Sequence, residues 1–109
     1  MAENSEPLLV VMTAASKEEA TRLAEMLVGA HLAACVQIFP EIESVYRWKG
    51  TIERASEVLL FAKTVRSKFV ALEREVRQLH SYETPEIIAV PIREVSSPYL
   101  KWLSESVAQ

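Results

Sequence analysis

Aspartate is missing from all 109 residues of this chain. A hydrolytic relay of the Ser-His-Asp kind therefore has no residue of its acidic type to orient the histidine. Glycine is nearly as scarce, with two residues, Gly29 and Gly50. A loop that cradles phosphate on backbone N–H groups is glycine-bearing, and neither of these lies in one. Cysteine occurs once, at Cys35, so no intramolecular disulfide forms, and the opening MAENSEPLL has no basic stretch followed by a long apolar one. Both features point to the cytoplasm. The longest apolar run near the start, Leu8 to Met12, is far too short to cross a bilayer.

Basic residues form no cluster, and the formal net charge is −3. That balance argues against nucleic acid and membrane partners. The central strand-like runs carry aliphatic residues rather than the exposed rings on which RNA bases stack. No arrangement of nucleophile and base emerges, so a role other than that of an enzyme is expected. Hydrophobic residues make up 50% and charged residues 25% of the chain, the composition of one ordinary globular domain.

What is present is a long hairpin signature. From Ala34 to Thr64 two runs rich in Val, Ile, Tyr, Phe, Trp and Thr meet at Lys49-Gly50, where a tight turn needs positive φ. Each arm of about 15 residues would reach about 50 Å at ~3.3 Å per residue. A compact domain of this length has a radius of gyration of about 13 Å, hence a diameter of about 34 Å. One protomer cannot cover both arms, so either Pro40 bends the first arm or the tip projects and pairs with another subunit. Both are expected. A two-residue loop sets Tyr46 opposite Glu53, and a three-residue loop sets it opposite Ile52.

The remaining elements follow from periodicity. Residues Met1 to Pro7 are polar and read as frayed, and Leu8 to Ala14 reads as a strand buried on both faces. Ser16 and Glu19 fit a capping box for a helix with apolar Ala20, Leu23, Ala24, Leu27 and Val28, ending at Gly29 or Leu32. Ser67 is a candidate N-cap for a second helix carrying Phe69, Leu72, Val76 and Leu79, which Pro85 prevents from continuing past Tyr82. Ile87 to Ile92 reads as a strand whose Pro91 suits a sheet edge. Ser97-Pro98 opens a short last helix. The order β-α-β-β-α-β-α predicts an α+β, ferredoxin-like sandwich: an antiparallel sheet with two helices on one face, plus an extra C-terminal helix. The other sheet face stays uncovered, which again asks for another subunit.

Ala33-Ala34-Cys35-Val36, Glu43-Ser44 with Tyr46, Trp48 and Gly50, Lys63-Thr64, His80, Tyr82-Glu83, Pro85-Glu86-Ile87 and Tyr99-Leu100 with Trp102 together resemble the CutA divalent-cation tolerance family. The resemblance runs from about Leu8 to Leu103. It implies a ferredoxin-like protomer in a tight homotrimer with hairpins exchanged between subunits, and an association with copper binding and metal tolerance. By alignment, the positions implied as copper ligands are Met12, Leu79 and His80, of which only His80 keeps a strong donor. Ser81 stands where the family commonly has proline, and this is expected to loosen the turn.

Several residues are candidates for a site. A neutral imidazole at His80 suits copper or another divalent metal ion, while the bland alternative is a histidine gaining from a helix C-terminus. Met12 is a thioether ligand or a core residue. Cys35 is a thiolate or a small buried hydrophobe, and Tyr82 and Glu83, with Glu86, are pocket-lining or simply solvated. Besides weak metal binding by a trimer, the alternative function is a regulatory or scaffold trimer, similar in architecture to PII proteins, with a small ligand or protein partner in the clefts between subunits.

Overall fold

The computed structural model describes residues 3–108. Eight residues, Pro7–Ala14, form β1, followed by α1 (Lys17–Gly29), β2 (Cys35–Trp48), β3 (Thr51–Val65), α2 (Phe69–Leu79), β4 (Ile87–Pro91) and α3 (Ser97–Ser106). The four strands make one sheet in the order β2-β3-β1-β4, and every neighbouring pair is antiparallel. This is the predicted sandwich.

The hairpin turns on Lys49 and Gly50, with φ of 52° and 82°. Two successive positive values are the type I′ geometry whose twist matches the flanking strands. Tyr46 pairs with Glu53, so the two-residue loop is the one adopted. A register shift between Phe39 and Ile42 marks the bend expected at Pro40. The hairpin makes the molecule long, with principal extents of 45 × 25 × 22 Å.

Alternation along β1 and β3 divides the sheet into two apolar faces. Val10, Met12, Ala14, Val58, Leu60 and Ala62 point to the helices and pack with Ala20, Leu23 and Leu27 of α1 and Leu72 and Val76 of α2. The intervening residues form cross-strand rows on the opposite side. Gln37, Phe61, Val11 and Ile88 make one row, Cys35, Lys63, Leu9 and Val90 another, and Phe39 with Leu59 part of a third. Phe39 and Phe61 meet edge to face at 5.0 Å. Helix α3 covers this side at one end only, where its Leu103 and Val107 pack on Ala34 and Val65 and its Tyr99 ring lies 5.8 Å from Lys63 Nζ. Ile88 and Val90 are left 52% and 45% exposed.

Local chemistry departs from expectation in four places. Met1 and Ala2 lie outside the described residues, but Glu3–Ser5 form a 3-10 turn and Pro7 already pairs with Val65. The described part of the start is therefore ordered where its polarity suggested fraying, and Arg66 fixes it through its N–H to the Glu6 carbonyl and its guanidinium to the Glu6 carboxylate. Helix α1 ends at Gly29, yet the left-handed residue is His31 at φ 60°. Leu32 N–H bonds the Leu27 carbonyl and His31 N–H that of Val28, a Schellman closure whose left-handed residue lies two positions beyond the glycine. Ser67 does not act as the N-cap of α2, because a 3-10 turn over Arg66–Lys68 leads into that helix instead. The N-cap of α3 is Ser96, with Ser97 already helical.

Candidate functional site

Helix α2 stops at His80, whose extended backbone (φ −73°, ψ 143°) leads the chain past the end of β1 at Thr13 toward Glu57 in the middle of β3. The imidazole is buried, and both ring nitrogens are in use. Nε2–H donates to the Thr13 carbonyl at 2.8 Å, and Nδ1 accepts the Tyr82 N–H at 3.0 Å. These two bonds assign the neutral Nε2–H tautomer. The approach of Glu19 Oε2 to Nδ1 at 3.7 Å is therefore a contact of two acceptors, not an ion pair.

Glu19 itself is almost fully buried. The predicted capping box is half formed: Ser16 Oγ accepts the Glu19 N–H at 3.1 Å, but the Glu19 carboxylate accepts from Ala15 N–H at 2.9 Å rather than from Ser16. Its second oxygen accepts the Ser81 N–H at 2.6 Å. Burial alone would push this carboxyl up. The hydrogen bonds from Ala15 and Ser81 outweigh it and hold the group below its ordinary value of 4.5. Ser81 thus does not loosen the turn as expected, since a proline in its place has no N–H to give.

From this anchored turn Tyr82 reaches back to the sheet and donates its hydroxyl to Glu57 Oε2 at 2.6 Å. Burial first, then the hydrogen bond and charge of Glu57, push the phenol well above 10.0. A cleft of about 500 Å³ opens beside this pair, between the Tyr82–Glu86 loop and the Ser44–Trp48 arm of the hairpin. Tyr46, Trp48 and Tyr82 supply aromatic wall, and Glu57, Glu83 and Glu86 supply carboxylates. Another hollow of about 460 Å³ lies over the β2 bulge, where Arg54 and Glu43 already pair with each other at 3.7 Å.

The sequence-derived candidates therefore separate. Tyr82 and Glu83 line the cleft, as does Glu86. His80 lies behind it as a structural tether, and Met12 is fully buried on the helix side of the sheet. Cys35 starts β2 on the uncovered face, paired with Lys63 toward the opposite end of β1 from Thr13. His80 and Met12 as placed do not fit a copper ion, since neither offers an open donor. Among the described residues no three His, Cys, Asp or Glu side chains gather closely enough to hold a metal. Sequence reasoning missed Glu57, and it read Glu19 as a cap without its burial or its bond to Ser81. Glu57 had a signal, as a lone carboxylate directly before the apolar run Val58-Leu59-Leu60.

Comparison with known proteins places this geometry in a family. The pattern described as CutA1 divalent ion tolerance protein matches residues 8–106. The chain belongs to that family. A divalent-cation tolerance protein CutA of Thermus thermophilus is 44% identical over 98 residues, spanning 90% of this chain and 95% of the relative. A CutA homologue of Xenopus laevis is 47% identical over 87 residues, and there the match covers only 58% of the relative's length. Among solved structures, the periplasmic divalent cation tolerance protein CutA of Archaeoglobus fulgidus superposes with a TM-score of 0.90 at 42% identity, covering 93% of this chain and 98% of the other. CutA1 of Oryza sativa gives 0.91 at 41% identity, covering 96% of each chain. No helix among the described residues of this CutA1 family member is long and apolar enough to cross a membrane.

Proposed function

We propose that this protein serves divalent-cation tolerance in the cytoplasm as a homotrimer that binds metal ions weakly and catalyses no reaction. The uncovered sheet face carries the assembly. Leu9, Val11, Leu59, Phe61, Ile88 and Val90 present continuous apolar surface on the side away from α1 and α2, and a patch of this kind marks a protein interface. Three copies related by cyclic symmetry bury it without leaving an open end. For the metal, the exposed carboxylates of Glu83 and Glu86 at the cleft mouth are available oxygen donors. Copper gains an imidazole only if His80 gives up Thr13 or Tyr82.

Light scattering on the purified protein tests the assembly, and a single-chain mass at micromolar concentration overturns it. Titration of copper and of manganese into wild type, His80→Gln and the double variant Glu83→Gln, Glu86→Gln tests the donors. The double variant is expected to weaken both ions and His80→Gln neither. A copper site lost in His80→Gln returns the imidazole to the ligand set. Cell fractionation tests the location, with the periplasm of the archaeal relative as the contrary result.

A second reading, a PII-like regulatory or scaffold trimer that takes a small ligand in its clefts, is favoured by one observation. The cleft is backed by Glu57, a buried carboxylate with a single hydrogen bond.

A further inference from the structure

Glu57 is 8% exposed, and among the described residues it accepts one hydrogen bond, from the Tyr82 hydroxyl, and pairs with no lysine, arginine or histidine. Burial strips a carboxylate of water, and such groups are found paired or multiply hydrogen-bonded. An ionised carboxylate has about four lone-pair positions. Tyr82 fills one of them. Every fully buried side-chain N or O among the described residues has a partner, so the other oxygen of Glu57, which has none, is open to the cleft it lines.

The lining suggests what completes it. Among the described residues no lysine or arginine lines the cleft, whereas Glu57, Glu83 and Glu86 do, beside the rings of Tyr46 and Trp48. Carboxylates with aromatic walls suit an organic cation, because a ring face attracts an ammonium that it cannot ligate as a metal. Trp48 already has one such partner, with Lys49 Nζ 5.8 Å from its ring centroid. Among the described residues no three His, Cys, Asp or Glu side chains gather closely enough to hold a metal ion, so Glu57 joins no ready-made metal cluster. A single ammonium would leave most of about 500 Å³ and two carboxylates unused.

We propose that the cleft binds an aliphatic diammonium ion, with one ammonium on Glu57, the methylene chain against Tyr46 and Trp48, and the second ammonium at the carboxylates of Glu83 and Glu86. This names the ligand class for the small-ligand reading above and rests on that reading, not on the metal one.

Calorimetric titration of the full chain with 1,4-diaminobutane tests it, with butylamine, 1,4-butanediol and manganese alongside. The diamine binds saturably, butylamine about threefold more weakly for want of an exposed ion pair, and butanediol not measurably. Glu57→Gln retains an acceptor for Tyr82 and weakens the diamine roughly tenfold or more, while manganese binding stays. Trp48→Leu weakens the diamine by about two- to fivefold. Thermal melts establish that each variant is folded, and Tyr46→Leu serves if Trp48→Leu is not.

The proposal falls if butanediol binds as well as the diamine, if Glu57→Gln leaves diamine affinity unchanged, or if wild type shows no saturable diamine binding. In that last case, manganese binding that disappears in Glu57→Gln keeps the cleft as the working site with a metal ligand. Loss of neither removes the cleft from consideration. A structure of the assembly in which a neighbouring copy's lysine or arginine occupies the open side of Glu57 also overturns it.

Discussion

The carboxylate of Glu19 on the first turn of α1 accepts the backbone N–H of Ser81 at 2.6 Å, across 62 positions of sequence. This bond and the two made by His80 hold the turn that delivers Tyr82 to the sheet. A proline at position 81 would delete the donor and strand one side of a buried charge. Hydrogen bonds to charged groups contribute about 1.5–3 kcal/mol, whereas stiffening the unfolded chain with proline returns about 0.4–1 kcal/mol. The loss is larger. Ser81→Pro is expected to destabilise by about 1–2 kcal/mol at pH 7 in urea unfolding, and Ser81→Ala, which keeps its N–H, by less than about 1 kcal/mol. A proline variant as stable as wild type would remove this bond from the account.

Acid should act on the same group. The Glu19 carboxyl lies below its ordinary value of 4.5 in the folded state, so its contribution is complete above that value and is lost as pH falls through the lower, folded one. Tyr82 has the opposite sign: its phenol is raised above 10.0, so its contribution is complete below pH 10 and is lost as pH climbs through the raised value. Unfolding free energy measured against pH is expected to fall below about pH 4.5, less steeply in Glu19→Gln. An unchanged acid slope in that variant would show that other carboxylates carry it.

The two glycines should respond to alanine in opposite directions. Gly50 sits at φ 82°, where a Cβ costs about 1–2 kcal/mol. Gly29 closes α1 without a left-handed φ, and a Cβ there meets nothing within 4 Å, so Gly29→Ala is expected to gain about 0.5 kcal/mol of helix propensity. Melting curves that moved together would contradict the assignment of His31, not Gly29, as the left-handed residue.

Assembly can be separated from folding on β4. Ile88 stands on the open face of an edge strand, paired with Val11, so Ile88→Glu removes no core contact on the helix side. The variant is expected to give the native circular dichroism spectrum and a single-chain mass by light scattering. A trimer that survived this charge would place the interface elsewhere.

Much of the fold was legible because its determinants are local. Lys49-Gly50 sets the turn, Ser16 accepts from Glu19 three residues on, and Pro40 breaks the register of its own strand. Where several local solutions compete, sequence misled. Gly29 drew attention from His31, whose positive φ is held by the closing bonds at Leu27 and Val28. The site was less legible than the fold. A histidine after a helix reads the same whether its nitrogens are free or, as in His80, committed to Thr13 and Tyr82. Likewise Glu19 announced itself as a cap, and nothing near it in sequence points to Ser81.

The two faces of β1 give a single strand two separate obligations. Val10 and Met12 answer to the interior of their own chain, while Leu9 and Val11 answer to whatever covers the far side of the sheet. A substitution scan along this strand would therefore report with a period of two. Even positions would lower the melting temperature at any protein concentration, whereas odd positions would make it depend on dilution. Tolerance to mutation here is a property of the address on the strand, and a residue that looks expendable in one copy is judged by its neighbours.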